Sequence, residues 1–444
     1  MHGPENTFKE PDPFYSFIYL AMLIGKAASF IDNYFKRFAS PKALIGQPLA
    51  PGCQIIIVIP CYNEPDLTGT LNSLKACLLP GYPVEVIIVV NQSEAESSEI
   101  ASANARTIAE FGHWHKEYMS RQTPGTHCLN FHCLKALELP KKQAGVGLAR
   151  KTGMDEALKR FVSAGTDGAI VCLDADCRVS NDYLAAIDSQ FVQSKAGLGE
   201  MHFEHDYIGE TNEALRKGIV NYELFLRYYV EGLRQSAFPN AIHTIGSCML
   251  VKASVYAKHG GMNKRKAGED FYFLHKIVPH ERFVTVNEGT VFPSCRTSDR
   301  VPFGTGKAQQ DWLDQNSEQY LTYDPRVFSD LRNLIESAHR FYDMPFHDVI
   351  SLLEEPVSTF LTHHKFESKI ALIKANCKSE SQFLKQFFIW FDGFLCMKFV
   401  HFLRDEFYPN IPIEEAAAKL IKTDQKYPEK LLESYRAIDR QQVL

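Results

Sequence analysis

The sequence predicts a doubly wound α/β protein, with a mostly parallel sheet flanked by helices and an α-helical C-terminal extension. Three observations carry this. Gln54–Ile59 (QIIIVI) and Val84–Val90 (VEVIIVV) are continuous apolar, β-branched runs, as strands buried on both faces require. Between them Leu67, Leu71, Leu74 and Leu78 recur at steps of four, three and four, which is one face of a helix. Strand, helix and strand joined by short loops form a right-handed parallel unit. From about Gln309 onward only helical periodicity remains. The expected division is an N-terminal helical segment and linker over residues 1–50, the α/β domain over 51–310, and the extension over 311–444.

Composition narrows the function classes. Apolar residues make up 45% and charged residues 23%, the balance of a folded soluble protein. The net charge of −5, from 48 basic and 53 acidic side chains, gives no electrostatic case for nucleic acid as a partner. Eleven cysteines without a C-x-x-C pair fit a reducing compartment better than a disulfide framework, and they argue against a structural zinc site. The expected location is therefore cytoplasmic. Phe14–Gly25 is apolar but too short to span a bilayer, and no basic region precedes it as in a cleaved signal. Lys26–Phe38 continues it amphipathically. The expectation is a helix packed on the domain, with no transmembrane span; peripheral contact at the cytoplasmic membrane face is the alternative.

The elements follow in order. Pro41–Cys53 reads as a linker, and Gln54–Ile59 stops at Pro60-Cys61-Tyr62-Asn63-Glu64-Pro65. The second strand ends in Asn91-Gln92-Ser93. Glu94–His115 is helical, His127–Cys133 a strand, and Gly145 opens a helix whose small residues Ala149, Gly153 and Ala157 let it lie close to the sheet. Ala169–Leu173 is a buried strand, followed by a helix over Asn181–Val192. Thr211–Ser236 carries Leu215, Ile219, Tyr222, Leu226, Tyr229 and Leu233 at alternating steps of four and three, a strongly amphipathic helix. Ile245–Val251 is strand-like, and Lys264–Gly268 is a basic loop. Glu269-Asp270 then starts a helix that buries Phe273, Leu274 and Ile277. Phe283–Phe292 is the last strand, and Ser294–Lys307 is a loop. The extension holds helices over Val327–Phe341, Phe346–Glu354, Phe366–Ala375, Gln382–Phe407 and Ile413–Ile421. The charges of Phe383–Phe407 make that segment a packing helix and not a membrane span.

The Ala169–Leu173 strand runs into Asp174-Ala175-Asp176. Side chains two apart on an extended chain point the same way, so both carboxylates would aim into one site at the carboxyl end of a buried strand. Two hard anionic ligands suit a divalent cation that also holds substrate phosphates. A surface turn is the competing reading.

Five polar sites gather at or near strand ends: Pro60-Cys61-Tyr62-Asn63-Glu64, Asn91-Gln92-Ser93, Arg150, Asp174-Ala175-Asp176 and Glu269-Asp270. In their order and spacing, with Ala149-Arg150-Lys151-Thr152-Gly153-Met154-Asp155 ahead of the D-x-D strand and Gly246-Ser247 after it, residues 50–310 resemble family-2-like inverting glycosyltransferases. The resemblance implies a Rossmann-like sheet of glycosyltransferase-A type. It implies transfer of one sugar from a nucleotide-sugar donor to a hydroxyl acceptor (glycan, lipid or small molecule), with Mg2+ or Mn2+ as cofactor.

The same resemblance assigns roles. Pro60, Tyr62, Asn63 and Glu64 would hold base and ribose. Asn91 stands where the family usually has a base-binding aspartate, which leaves donor-base identity less secure. Arg150 would meet phosphate, though a salt bridge to Asp155 or a neighbouring acid is nearly as good a use of a guanidinium. Asp174 and Asp176 would bind the metal and the diphosphate end of the donor. Asp270 would be the general base, with Glu269 positioning acceptor or sugar, although acids at a helix start also favour the helix dipole. Gly246 and Ser247 would let the sugar approach, and Arg296 and Arg300 would fold over the diphosphate. His202 and His205 could add a metal ligand or be plain loop residues. Cys61 reads as packing, and Gly304-Thr305-Gly306-Lys307 lacks the spacing of a P-loop. A retaining transferase, a nucleotidyltransferase and a non-catalytic nucleotide-sugar-binding protein are the rivals.

Overall fold

The computed structural model describes residues 29–39, 42–122, 129–298, 300, 302, 304–315 and 319–442. The apolar stretch Phe14–Gly25 and the start of the strand expected at His127 lie outside them.

Eight strands form one sheet: β1 Ile55–Cys61, β2 Val84–Ser93, β3 Leu129–Leu139, β4 Ala169–Cys172, β5 Arg178–Val179, β6 Leu198–Phe203, β7 Met249–Lys252 and β8 Phe283–Phe292, in the order β3-β2-β1-β4-β7-β6-β8-β5. β3, β2, β1 and β4 are parallel neighbours, as are β6 and β8. β7 runs antiparallel to both β4 and β6, and β5 antiparallel to β8. The mostly parallel α/β sheet expected from the buried runs is therefore what forms.

β1 is buried along its length, and its alternation feeds two cores. Ile55, Ile57 and Ile59 join the helices α2 (Leu67–Lys75), α3 (Ser98–Ser120) and α5 (Tyr183–Ala186), the last continuing into a π-helical turn, Ile187–Val192. Ile56 and Val58 face the helical residues 29–37 (α1), α4 (Val146–Ala164), α7 (Ala253–Lys258) and α8 (Glu269–Ile277). Gly153 shows why small residues recur on α4: a Cβ there would stand 2.4 Å from Val58 Cγ1. α1 packs on the domain as expected, with Tyr34 buried and its hydroxyl donating to Asp155 Oδ1 at 2.6 Å. Asp155 is held by Tyr34, Tyr256 and Lys151, so it is not the partner of Arg150.

A third core joins α6 (Glu213–Gln235) to the helices that follow β8. α9 (Thr305–Gln315) rests on α6 outside this core, through Gln309 donating to the Leu215 carbonyl at 2.9 Å. The helices within it are α10 (Arg326–Ser337), α11 (Arg340–Asp343), α12 (Phe346–Ile350), α13 (Glu355–His363), α14 (Phe366–Ala375), α15 (Glu380–Trp390), α16 (Gly393–Glu406), α17 (Ile413–Leu420) and α18 (Pro428–Arg440). A short antiparallel pair, β9 (Leu321–Thr322) with β10 (Ile411–Pro412), ties the ends of this region together.

Four expectations change. Leu78 lies past the end of α2 and is 57% exposed. The buried face of α6 is not the tyrosine and leucine stripe alone; it includes Glu223 and Arg227, whose charges meet partners from β6 and α18. Ile245–Val251 starts as a 3-10 turn, Gly246–Cys248, before β7 begins. Gln382–Phe407 is two helices bent by 70°, because Asp392 caps a new helix by accepting from the Leu395 amide at 2.9 Å. The apolar side of the pair is buried in the third core. Among the described residues no single helix is long and apolar enough to cross a membrane.

Candidate active site

β1 and β4 are parallel neighbours, with Val58 opposite Cys172, so the loops after both strands emerge at the same edge of the sheet. After β4 the chain turns at once: the Cys177 amide donates to Asp174 O at 3.1 Å, and Thr70 Oγ1 donates to Ala175 O at 2.7 Å. The Asp174-Ala175-Asp176 segment is thus a turn and not an extended strand. Its two carboxylates have different partners. Both keep exposed surface, 38% of the Asp174 side chain and 28% of Asp176. Burial raises the pKa of Asp176, and the charge of Asp174 adds to the rise.

Asp174 is held by Arg150. This arginine is almost wholly buried in α4, its Nη2 donates to Asp174 Oδ1 at 2.5 Å, and its Nη1 donates to Glu269 Oε1. Gly246 makes room for it: a Cβ at that position would lie 2.8 Å from both Nη1 and Nη2. The smallness of Gly246 therefore serves the guanidinium, where the sequence suggested room for a sugar. Arg150 meets protein carboxylates in this geometry, and the acids it pairs with are Asp174 and Glu269. One side chain thus links the turn after β4 to the start of α8.

Glu269 is buried and Asp270, beside it, is half-exposed. The Asp270 carboxylate accepts from the Phe271 amide at 2.7 Å. Burial raises the pKa of both carboxyls against the lowering pull of Arg150. Asp270 also acts on Tyr222 of α6, whose hydroxyl is pushed up to about 12 by burial and by the Asp270 charge. Thr305 of α9 bonds Tyr222, and His205 Nε2 lies 3.3 Å from Thr305 Oγ1. Sequence reading took Tyr222 for a core residue, and nothing in its spacing marked Thr305.

On the other side of the turn, Arg296 grips Glu64 with Nη1 at 2.9 Å and with Nη2, which also reaches Asp176 Oδ2 at 3.3 Å. Arg300 donates to the Tyr62 carbonyl at 2.8 Å. The loop after β8 therefore lies over the loop after β1, with both arginines holding it. Glu64 is buried. Pro60 is a strand residue inside β1 and is buried there, so it offers no surface to a ligand. Asn63 is exposed, in the left-handed region at φ 47, and its amide is held by Asn104 Oδ1 at 2.9 Å.

Asn91 is buried in β2, and its amide donates to the Cys61 carbonyl at 2.9 Å. Asn104 of α3 donates to the Asn91 carbonyl at 3.2 Å and to Gln92 Oε1 at 3.1 Å. These two amides brace the first loop. Ser247 is buried in the turn beneath Arg150. Burial pushes the Cys61 thiol well above its ordinary pKa, which removes it as a nucleophile. All ten cysteines among the described residues are free thiols. Lys307 belongs to α9 and pairs with Asp311, so Gly304–Lys307 forms no phosphate loop.

His202 and His205 are engaged elsewhere, His202 with Glu204 at 2.9 Å and His205 with Glu223 at 3.0 Å. Among the described residues no group of three His, Cys, Asp or Glu side chains is arranged to hold a metal. Asp174 and Asp176 still fit a hard divalent cation that takes one or two carboxylates and completes its shell with substrate phosphates and water.

Residues 56–260 match the family described as glycosyl transferase family 2. The matched segment covers the loop after β1, Arg150, the Asp174–Asp176 turn and Gly246, and ends before Glu269. A comparison with curated proteins gives no match. Among solved structures, the chain is similar to S. aureus TarS 1-349 in complex with UDP-GlcNAc at 11% identity and TM-score 0.39, covering 75% of this chain and 90% of that one. It is similar to the mannosyltransferase PcManGT from Pyrobaculum calidifontis in complex with GDP-Man and Mn2+ at 13% identity and TM-score 0.34, covering 83% and 95%. GalNAc-T7 with UDP, GalNAc and Mn2+ is similar at 14% identity and TM-score 0.36, covering 80% and 58%. Strands β2 to β7 and the turn at Asp174 lie within the matched segment, and over residues 56–260 the chain is similar to glycosyl transferase family 2.

Proposed function

We propose that the protein transfers a sugar from a nucleotide-diphosphate sugar to a hydroxyl acceptor, with inversion and with help from Mg2+ or Mn2+. The observation that carries this is the single guanidinium of Arg150 joining Asp174, on the donor side, to Glu269, beside Asp270 on the acceptor side. An inverting displacement needs a base and a leaving-group site on opposite faces of the sugar, and these two carboxylate pairs come from separate parts of the chain.

Asp174 and Asp176 would hold the cation, which neutralises charge growing on the departing diphosphate. Asp270 takes the proton from the acceptor hydroxyl; its raised pKa makes it a stronger base than an ordinary aspartate. Glu269 is fixed by Arg150 and orients the acceptor or the sugar. Glu64 and Tyr62 receive the nucleoside, and Arg296 and Arg300 move from Glu64 and Asp176 onto the diphosphate. Residues 51–310 act as the catalytic domain and 311–444 as a helical extension that shapes the acceptor side. Free thiols throughout the described residues support a reducing, cytoplasmic setting.

The test is a panel of nucleotide-sugars incubated with Mn2+ and then with a chelator, followed by anomer analysis of the product. Turnover that is lost on chelation and a product of inverted configuration are expected. A retained anomer would remove Asp270 as base.

A further inference from the structure

The basic loop Lys264–Gly268 plays no part in the donor site, yet it is built into its rim. Gly147, one turn before Arg150, has no room for a Cβ, which would come 2.1 Å from the Arg265 carbonyl oxygen. Gly145 lies close as well, 3.1 Å from Lys266 Cα by the same measure. Lys266 Nζ donates to the Lys141 carbonyl at 3.0 Å and so draws the loop after β3, with exposed Lys141 and Lys142, alongside. Three residues on, Glu269 and Asp270 open α8.

The next residues of α8 extend this surface. Arg265 stands over the Tyr272 ring at 3.8 Å, Tyr272 lies 6.2 Å from Phe394 of α16, and Lys398 stands over Phe394 at 4.8 Å. Tyr272 and Phe394 are 38% and 37% exposed. α16 is fixed here because Gly393 allows the His275 ring to within 2.2 Å of where a Cβ would be. Four separate segments thus meet beside the acids. None of Lys141, Lys142, Lys264, Arg265, Lys266 and Lys398 is paired with a carboxylate among the described residues. Glu94 accepts from the Lys141 amide, and Asp392 caps α16.

Six unpaired cations gathered on one face of a chain with net charge −5 are an electrostatic feature that needs an anion. Two of them are held in place by exposed rings, which lowers the ordering needed on binding. The rings are only partly exposed and each carries its own cation, so they suit a ring-to-saccharide contact better than insertion into lipid. Resting on the glycosyl-transfer reading above, we infer that the acceptor carries an anionic group, phosphate or carboxylate, which this face binds while its hydroxyl is presented to Asp270.

The experiment measures binding of the full chain to four probes: phosphomannan, neutral mannan, vesicles of phosphatidylcholine, and the same vesicles with phosphatidylglycerol. Binding to an anionic probe and not to its neutral counterpart is expected. The triple variant Lys264→Gln, Arg265→Gln, Lys266→Gln keeps the side-chain stems and should weaken that binding by about tenfold or more, with UDP and GDP binding and melting temperature unchanged. Lys264→Arg with Lys266→Arg should restore it. Binding to phosphomannan alone assigns a soluble anionic saccharide, and binding to the anionic vesicles assigns a lipid-borne one. Equal binding to charged and neutral probes, or a triple variant that binds like the wild type, overturns the inference. The readings fail separately: absence of nucleotide binding by the wild type counts against the donor site, and the probe series alone decides the anionic face.

Discussion

Arg150 and Gly246 are so close that one methyl group at position 246 would fall 2.8 Å from both terminal nitrogens of the guanidinium. Gly246→Ala should therefore push Arg150 off Asp174 and Glu269 without touching either acid. The expected result is a loss of roughly 100-fold in turnover, as for any small misplacement of reacting groups, and about 1–3 kcal/mol of stability. Arg150→Lys, whose single ammonium cannot span both carboxylates, should lose a similar factor. Combining the two should add little, because they break one arrangement. Steady-state kinetics on the two single variants and the double variant would check this; additive losses would mean that Gly246 acts independently of Arg150.

Arg296 occupies the carboxylates that a cation and a nucleoside would use. Arg296→Ala should take the nearer counter-charge from Glu64 and Asp176, leaving only Arg300 at 3.6 Å from Glu64, and so tighten Mn2+ binding in the absence of nucleotide. It should also raise the KM for donor, since the arginine can no longer meet the diphosphate. Calorimetric titration of Mn2+ reads the first effect and kinetics the second. Weaker Mn2+ binding by the variant would show that the arginine and the cation do not compete.

Asp270→Asn keeps the shape of the side chain and removes its basicity. Transfer should fall by about 10²–10⁴-fold while nucleotide binding stays within about twofold. Transfer at the wild-type rate would move the base elsewhere, with Glu269 the next candidate.

Acid should unfold the protein in two stages. Burial pushes His202 down to about 4 against the pull of Glu204. Glu204, although burial works to raise it, is drawn to about 2 by His202, Arg436 and Arg440. Both folded-state values lie below the ordinary ones, so their stabilisation is complete above about pH 6.5. The His202 share is lost as pH falls from 6.5 to about 4, and the Glu204 share from 4.5 to about 2. Melting temperature followed across this range reads both losses. Buried Glu200, pushed up to about 8, works in the opposite sense between pH 8 and 4.5, so the His202 share is read by difference. Arg440→Ala should shrink the lower window; a His202→Gln variant with the wild-type slope between pH 6.5 and 4 would contradict the buried state of His202.

Asp439 of α18 accepts from Arg227, Arg234 and His243, and the three hold its carboxyl well below the usual range. Asp439→Ala would strand buried cations and should cost about 3–5 kcal/mol, read by chemical denaturation. A loss below 1 kcal/mol would mean that water reaches the cluster.

Much of this architecture was legible because buried strands announce themselves. β1 and β2 are runs that no surface segment would carry, and β8, though only partly buried, has the bounds expected of it. The polar residues after β1 and β4 and at the start of α8 pointed to Glu64, Asp174, Asp176 and Glu269, which Arg150 and Arg296 tie together in two pairs. What failed was reasoning that needs a partner. Tyr222 looks like one more apolar step on α6 until Asp270 faces it. The roles expected of Asn91 and Gly246 were chemical, and their contacts are with Cys61 and Arg150, which no local pattern reveals. α18, PEKLLESYRAIDR, was missed because nearly half of it is charged; Leu431, Leu432 and Tyr435 enter the third core, and Asp439 beside them is buried against Arg227, far up the chain.

The ion pairs of α18 reach across the sequence: Arg436 to Glu223 over 213 residues and Asp439 to Arg227 over 212. A polypeptide leaving the ribosome N-terminus first makes β6 and α6 long before it makes α18. Until residues 436–440 clear the exit tunnel, Glu223 lacks one arginine, and Arg227, Arg234 and His243 share no carboxylate from α18. The final lock on α6, the helix that sets Tyr222 beside Asp270, therefore closes only after α18 has been made, some two hundred residues after α6 itself. The timing of translation is thus part of how this site is made.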